Sequence, residues 1–378
     1  MSQMNWEDEI KYPVKAPDLT YAYILKSDKM VVACTHDELI YAIQNFEDVE
    51  FVTTPEHNQF ILPGTDFLTS QAVVAAQKRE LKGNSTMYIF LCVLLSIPLL
   101  EFFSPTHSNS SYFRSSKFSF LLLGLVPLLD ILYEYYCLTK VNQSNFIHQA
   151  QQIKFKYWLG LKNHYSIYFL SSVFIVITVI QFIIGLKHSV DVAGLVKFNT
   201  QHGEYWRMLT CVFLHGSILH LVFNAIAFLS LGIILIRVAD YYSLALVFLV
   251  SGFMGSAFSV AFGSALPSVG ASGAIMGLIG YLLVLGLKNR KNIPREFVKA
   301  LVSSLIMIAL LGVLAFDLID NAAHAGGFVG GMLMGILLIQ NQHASIPIKT
   351  NRVIKLFGIF SAVVLLGVVI TVVVLLLS

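Results

Sequence analysis

Four polar side chains sit where a lipid-soluble sequence should have none. His220, Asn224, Ser272 and His324 each fall near the start of an apolar run long enough to cross a bilayer. A polar group inside a span is costly and so needs a reason. An alcohol, two imidazoles and an amide are the parts of an acyl-transfer site. A serine hydroxyl is a weak nucleophile until an imidazole beside it takes its proton. The oxyanion of the tetrahedral intermediate needs donors, each typically worth about 3–4 kcal/mol. Ser272 and His324 therefore read as nucleophile and base. His220 and Asn224 are suitable oxyanion donors, with the Ser272 backbone N–H as a third. No carboxylate is placed to orient His324, since Asp320 lies one turn above it toward the water interface. A Ser–His dyad fits better than a triad.

Spacing sharpens this reading. His220 and Asn224 stand at i and i+4 and share a helix face. Gly270, Gly273, Gly277 and Gly280 make a small-residue stripe with Ser272 at its upper edge. His324, Gly327, Gly331 and Gly335 make a second, at i, i+3, i+7 and i+11. Such stripes let membrane helices pack backbone to backbone, and facing stripes would bring Ser272 to His324. Each feature alone has a plainer explanation. A membrane serine usually bonds back to its own helix carbonyl, and glycine stripes generally mean packing and nothing more. The conjunction at one depth favours chemistry. His215 reads as a structural hydrogen-bonder in a loop. His202, Glu204 and Arg207 read as solvated or headgroup-facing loop residues. His36, His57, His107, His148, His164, His188 and His343 read as surface, loop or interface residues.

The elements that must position these groups are membrane helices. Of 378 residues, 56% are hydrophobic and 12% charged, with mean hydropathy +0.72. That composition belongs to a polytopic membrane protein. A net charge of +3 gives no case for nucleic acid. Cys34, Cys92, Cys137 and Cys211 form no CxxC pair, so neither a disulfide framework nor a zinc site is expected. The polar, acidic start has no apolar core of a signal peptide, which leaves the N-terminus cytoplasmic. Residues 1–83 read as a small α+β soluble domain without a chemical motif. Spans are expected near 87–104, 118–138, 166–186, 218–237, 241–262, 270–287, 297–316, 321–340 and 354–377. The domain reading is 1–83 soluble, 84–138 two accessory helices, 139–165 an interfacial linker, 166–340 the core, and 341–378 a linker with the last helix.

Basic residues orient the chain. Lys288, Arg290, Lys291, Arg295 and Lys299 cluster in one connection, and Lys349, Arg352 and Lys355 in another. Lys140, Lys154, Lys156 and Lys162 lie in the 139–165 linker. The opposite loops 263–269 and 316–320 carry no Lys or Arg. Only one topology satisfies the positive-inside rule. In it the three spans bearing the four polar residues all run inward, so the site lies just below the outer surface.

With those motifs in view, the sequence resembles the rhomboid family of intramembrane proteases. GASGAIMGLIG (270–280) looks like its GxSG nucleophile motif, and NAAHAGG (321–327) like the motif bearing its histidine. EYWRMLTCVFLHGSILHLVFN (204–224) looks like its first outer loop running into the HxxxN oxyanion helix. The resemblance covers about residues 160–340 and implies an all-α polytopic fold with a six-helix core. Two extra helices before that core, one after it, and the α+β domain lie outside the pattern. It implies that Ser272 attacks, that His324 is base and then acid, and that His220 and Asn224 bind the oxyanion. It implies that Trp206 and Arg207 brace the outer loop, and that Gly270, Gly273 and Gly327 belong to the structural motifs. Transmembrane protein substrates, cleaved near the outer leaflet without metal or cofactor, follow from the same likeness. The membrane itself is expected to be a bacterial-type plasma membrane. Met276 departs from the pattern, because some members carry an aromatic residue there. Two rival readings are a non-catalytic rhomboid-like client binder and a transporter. Glycine-interrupted spans with polar groups also mark transport sites, yet here the polar groups cluster at one end and no inverted repeat is visible.

Overall fold

The computed structural model describes residues 6–45, 48–100, 124–140, 146–161, 165–314, 316, 319–339 and 346–378. The chain divides into two compact units, one of Glu7–Trp158 and one of Met1–Trp6 with Leu159–Ser378.

In the Glu7–Trp158 unit, strands β1 (Tyr21–Leu25), β2 (Val31–Cys34) and β3 (Val49–Thr53) pair antiparallel in the order β2-β1-β3. Alternation along β1 sends its side chains to two cores. Ala22 and Ile24 join Phe51, Phe60 and Leu62, while Tyr21 and Tyr23 pack toward Leu39 and Ile43 of α1 (His36–Asn45). The segment NQFIL (58–62) makes only isolated bridges, Gln59 to Val14 and Ile61 to Val52. That segment passes between two partners one residue at a time, and Pro63 and Gly64 (φ +82) end it.

Helix α2 (Phe67–Leu100) is continuous, where the sequence suggests a soluble helix and then a separate span. The polar stretch between them does not break it. Ser85 and Thr86 donate back to the Lys82 carbonyl at 2.8 and 3.1 Å, so their hydroxyls serve the helix's own backbone. Helix α3 (Val126–Thr139) carries Pro127 in its first turn, where a missing N–H costs no bond. It packs against α2. The end of the span expected near 87–104 and the start of that expected near 118–138 lie outside the described residues. Helix α4 (Phe146–Gly160), suited by composition to a membrane interface, turns Ile153 and Tyr157 onto the sheet's core. Tyr157 donates to Glu50 at 3.1 Å, and the Trp158 indole to Glu9 at 3.1 Å.

Among the described residues, the named elements of the other unit are helices. It comprises α5 (Tyr165–Ile184), α6 (Leu186–Ala193), α7 (Ile218–Val238), α8 (Tyr241–Phe262), α9 (Ser272–Lys288), α10 (Arg295–Leu314), α11 (Asn321–Leu338) and α12 (Arg352–Leu377). Short helical turns at Lys197–Gln201 and Arg207–Thr210 shape the connection from α6 to α7. Six of these helices, α5, α7, α8, α10, α11 and α12, are long and apolar enough to cross a membrane. Large apolar side chains such as Phe169, Ile183, Val313 and Phe360 stand exposed on them. So much outward apolar surface suits lipid and not water. The chain is a multi-pass membrane protein, with α5 and α7–α11 the expected core and α12 the additional helix. Helix α9 is shorter, about 26 Å at 1.5 Å per residue, against about 30 Å of hydrocarbon.

Helices α8, α9 and α11 form the centre. The glycine stripes of α9 and α11 face each other: a Cβ on Gly331 would stand 1.9 Å from the Gly277 carbonyl oxygen. Ser251, Gly252, Gly255, Ser256 and Ser259 give α8 a buried small-residue stripe of its own, which meets both partners. At the far end Lys288 donates to the carbonyls of Ile336 (3.0 Å) and Ile339 (2.5 Å), fastening α9 to the end of α11.

Candidate active site

Helix α9 begins at Ser272. The first N–H groups of a helix have no partner within it and carry the positive end of its dipole. A serine there has backbone donors beside its own hydroxyl. The turn into the helix is fixed by Gly270, whose φ of +124° excludes ordinary side chains. Its N–H donates to the Cys211 carbonyl at 2.9 Å. Two residues earlier, Ser268 exchanges a pair of backbone hydrogen bonds with Leu195, at 3.0 and 3.2 Å. The loop before the serine is thus stitched to the connection before α7.

His220 and Asn224 lie against this turn. A Cβ on Gly270 would meet His220 Cε1 at 2.6 Å, its Nε2 at 2.8 Å and Asn224 Nδ2 at 3.4 Å. Ser217 caps α7 by accepting from the His220 N–H at 3.1 Å, which fixes the first turn. Asn224 Nδ2 is buried without a hydrogen-bond partner among the described residues, and so is His324 Nδ1. Orphaned buried polar atoms are rare in native folds and ask for an explanation. Here two of them belong to residues already singled out by type.

His324 enters from the facing helix. Asp320 caps α11, its Oδ1 accepting from the Ala323 N–H at 3.0 Å, while its carbonyl accepts from the His324 N–H at 3.1 Å. The Ala323 carbonyl would stand 3.3 Å from a Cβ on Gly273. A Cβ on Gly327 would stand 1.9 Å from the Gly273 carbonyl. Ser272 precedes Gly273 and His324 follows Ala323, so the two start their helices at one level of a backbone-to-backbone contact. Both are half-buried.

Asp320 corrects the expectation of a residue at the water interface. Its Oδ2 accepts from Ser259 and Ser268 and lies 3.7 Å from the Lys197 ammonium. Burial would raise its pKa, yet hydrogen bonds from Ser259, Ser268 and the Ala323 N–H, with the Lys197 charge, hold it below the usual carboxylate value. Both oxygens are engaged, so this carboxylate is not the third member of a triad. Lys197 was not singled out by its sequence, although a lone cation in the apolar run GLVKF signals a partner elsewhere. Burial pulls its pKa below the ordinary lysine value, against the opposing charge and hydrogen bond of Asp320.

Arg207 also departs from the solvated loop reading. It is 4% exposed, and its guanidinium donates to the Gly194 and Asp191 carbonyls, each at 2.9 Å, and to the Glu204 carboxylate. That hydrogen bond lowers the Glu204 pKa despite some desolvation. Trp206 beside it stays half-exposed. His202 remains an exposed loop residue bonded to the Phe198 carbonyl at 2.7 Å. His215 is wholly buried, its Nδ1 3.1 Å from Thr178 Oγ1 and its backbone held by Gln181 through two 3.0 Å hydrogen bonds. Burial, with His220 close by, pushes its pKa down to about 3. Its ring meets that of His220 edge-on at 5.4 Å, so it supports His220 as a structural neighbour. Met276 is buried in α9. Among the described residues no three His, Cys, Asp or Glu side chains converge as a metal site.

A family model described as the Rhomboid domain matches residues 202–341, the stretch from the Arg207 turn through α11. RHOMBOID-like protein 4 of Arabidopsis thaliana is 37% identical over 153 residues, covering 40% of this chain and 38% of that protein. Rhomboid protease GluP of Bacillus subtilis (strain 168) is 36% identical over 159 residues, 40% of this chain and 30% of that protein. Inactive RHOMBOID-like protein 8 of Arabidopsis thaliana is 35% identical over 136 residues, 35% of this chain and 38% of that protein. The chain thus spans between 30% and 38% of the length of these relatives.

Proposed function

We propose that this chain, which is similar to rhomboid proteins over residues 202–341, is an intramembrane serine endopeptidase working through a Ser272–His324 dyad. The observation that carries the reading is the glycine contact of α9 with α11, which leaves Ser272 and His324 level on adjoining helices. In the mechanism, Ser272 Oγ attacks the scissile carbonyl as His324 takes its proton. The oxyanion receives hydrogen bonds from Asn224 Nδ2, His220 and the free N–H at the start of α9. His324 passes its proton to the leaving amine, and Ser272 keeps the acyl group as an ester. A water deprotonated by His324 then hydrolyses that ester and restores the hydroxyl.

The substrates are transmembrane segments of other membrane proteins. The shortness of α9 suits this reading, because a helix too short to cross the hydrocarbon can start with its serine recessed from the water edge. The positive-inside pattern supports a cytoplasmic N-terminus and a site opening to the opposite face. For the domain organisation we propose the soluble segment 1–83, accessory helices within 84–138, a linker at 139–165, the protease core 166–340 and a final linker and helix at 341–378.

A non-catalytic client binder is the second reading, favoured by the comparable identity to a relative named inactive. Retention of both Ser272 and His324 weighs against it. Purified wild type, Ser272→Ala and His324→Ala decide the matter with a fluorophosphonate probe and a transmembrane reporter. Labelling and cleavage by wild type alone are expected. Cleavage that survives Ser272→Ala would remove the serine from the reaction, and a wild type that binds the reporter without cutting it would favour the client binder.

A further inference from the structure

Lys197 is 6% exposed, in the short helical turn of the connection that precedes α7. Its ammonium donates to the Leu266 carbonyl at 2.7 Å and to Ser268 Oγ at 3.1 Å, and lies 3.7 Å from Asp320 Oδ2. The same Asp320 oxygen accepts from Ser259 at the end of α8 and from Ser268. Four separate pieces of chain therefore meet on one carboxylate: the connection before α7, the end of α8, the loop before α9, and the cap of α11.

The positions are telling. Ser268 stands four residues before Ser272, and Asp320 four residues before His324. The loop entering the nucleophile's helix and the turn carrying the base thus share a single anchor. A buried ammonium is tolerated only when paired and hydrogen-bonded, so the cluster is satisfied in one arrangement and resists sliding. The glycine stripes hold α9 and α11 close but supply no polar group to fix their longitudinal register, and at this end the Asp320 cluster does so.

We propose that Asp320, held by Lys197, is a positioning residue that sets His324 against Ser272. The inference rests on the protease reading and adds a device to it: a largely buried ion pair that fixes the register of nucleophile and base without touching substrate. A displacement near 1 Å at such a pair costs about 100-fold in rate. Because the pair acts on geometry and not on binding, its loss falls on kcat and leaves KM nearly unchanged.

The test uses the full-length protein in detergent or liposomes, with a transmembrane reporter, below the unfolding temperature of every variant. Asp320→Asn keeps a cap for α11 but strands the Lys197 charge. It is expected to lower kcat about 100-fold with KM within about 3-fold. Lys197→Met should do the same. The double variant removes both charges and should recover at least about 10-fold over Asp320→Asn, as expected for residues acting as one unit. Ser268→Ala keeps both charges and loosens the anchor, giving about a 10-fold fall in kcat; it serves where Asp320→Asn fails to fold. Wild-type kcat in Asp320→Asn or Ser268→Ala, or a double variant as slow as the product of its singles, would overturn the inference. Ser272→Ala runs alongside, since cleavage surviving there would sink the protease reading itself, a separate outcome.

Discussion

Gly273 and Gly327 touch through their backbones, so closely that a Cβ on Gly327 would lie 1.9 Å from the Gly273 carbonyl oxygen. Backbone cannot step aside as a flexible side chain can. Gly327→Ala should therefore wedge α11 away from α9 at the level just below Ser272. Overpacking of this kind costs about 1–3 kcal/mol. On the proposed mechanism, fluorophosphonate labelling of Ser272 should fall about 100-fold, since the wedge would move His324 away from the hydroxyl. Gly367→Ala in α12 is the control, because a Cβ there meets nothing within 4 Å. Equal labelling in the two variants would show that helix contact does not set the dyad.

That contact is the part of the site most legible in sequence. Polar residues in apolar runs stand out by type, and the period of Gly327, Gly331 and Gly335 reveals the face that must pack. The stripe of α8 obeys the same rule through Ser251, Gly255 and Ser259 at i, i+4 and i+8, but serine there reads equally as a polar filler. Lys197 and Asp320 are different. Their pairing depends on the path of two connections, and no periodicity encodes a loop's path. Arg207 misleads for a related reason: a charge in a polar loop looks solvated until the carbonyls of Asp191 and Gly194 are known to converge on it. Residues Lys82 to Thr86 look like a break in α2 because the sequence does not show their hydroxyls bonding back to the helix.

Gly270→Ala should cost more than its small size suggests. Its φ of +124° is strained for any L side chain, and a Cβ would press on His220 at 2.6 Å. Strain of this kind is about 1–3 kcal/mol, and the displaced imidazole leaves the oxyanion side. The expected outcome is a folded protein with kcat reduced at least about 100-fold. Reporter kinetics alongside a thermal melt check it. Wild-type kcat would exclude His220 from the reaction.

Arg207→Lys should behave as a structural lesion. The guanidinium joins two carbonyls and the Glu204 carboxylate at once, and an ammonium cannot reproduce that planar fork. Leaving one buried carbonyl unpaired costs about 1–3 kcal/mol. A lower melting temperature and faster proteolytic nicking between residues 187 and 206 are expected. Cleavage per folded molecule should stay within about 3-fold, given that positioning losses run to about 100-fold. A collapse of kcat without a change in melting would instead place Arg207 in the chemistry.

His215 makes the fold acid-sensitive. Burial holds it neutral, with its pKa down to about 3 in the folded chain against about 6.5 when unfolded. Between those values the unfolded state binds the extra proton, so stability rises with pH across that window. The contribution is fully present above about pH 6.5 and is lost as pH falls toward 3, by at most about 1.4 kcal/mol per pH unit. His215→Gln keeps a neutral hydrogen-bonding side chain beside Thr178 but cannot titrate. Thermal midpoints measured from pH 7.5 to pH 4.5 should fall more steeply for wild type than for the variant, the two curves converging at the acid end. Parallel curves would mean that His215 has the same proton affinity folded and unfolded, and that its burial against Thr178 and Gln181 places no demand on its charge.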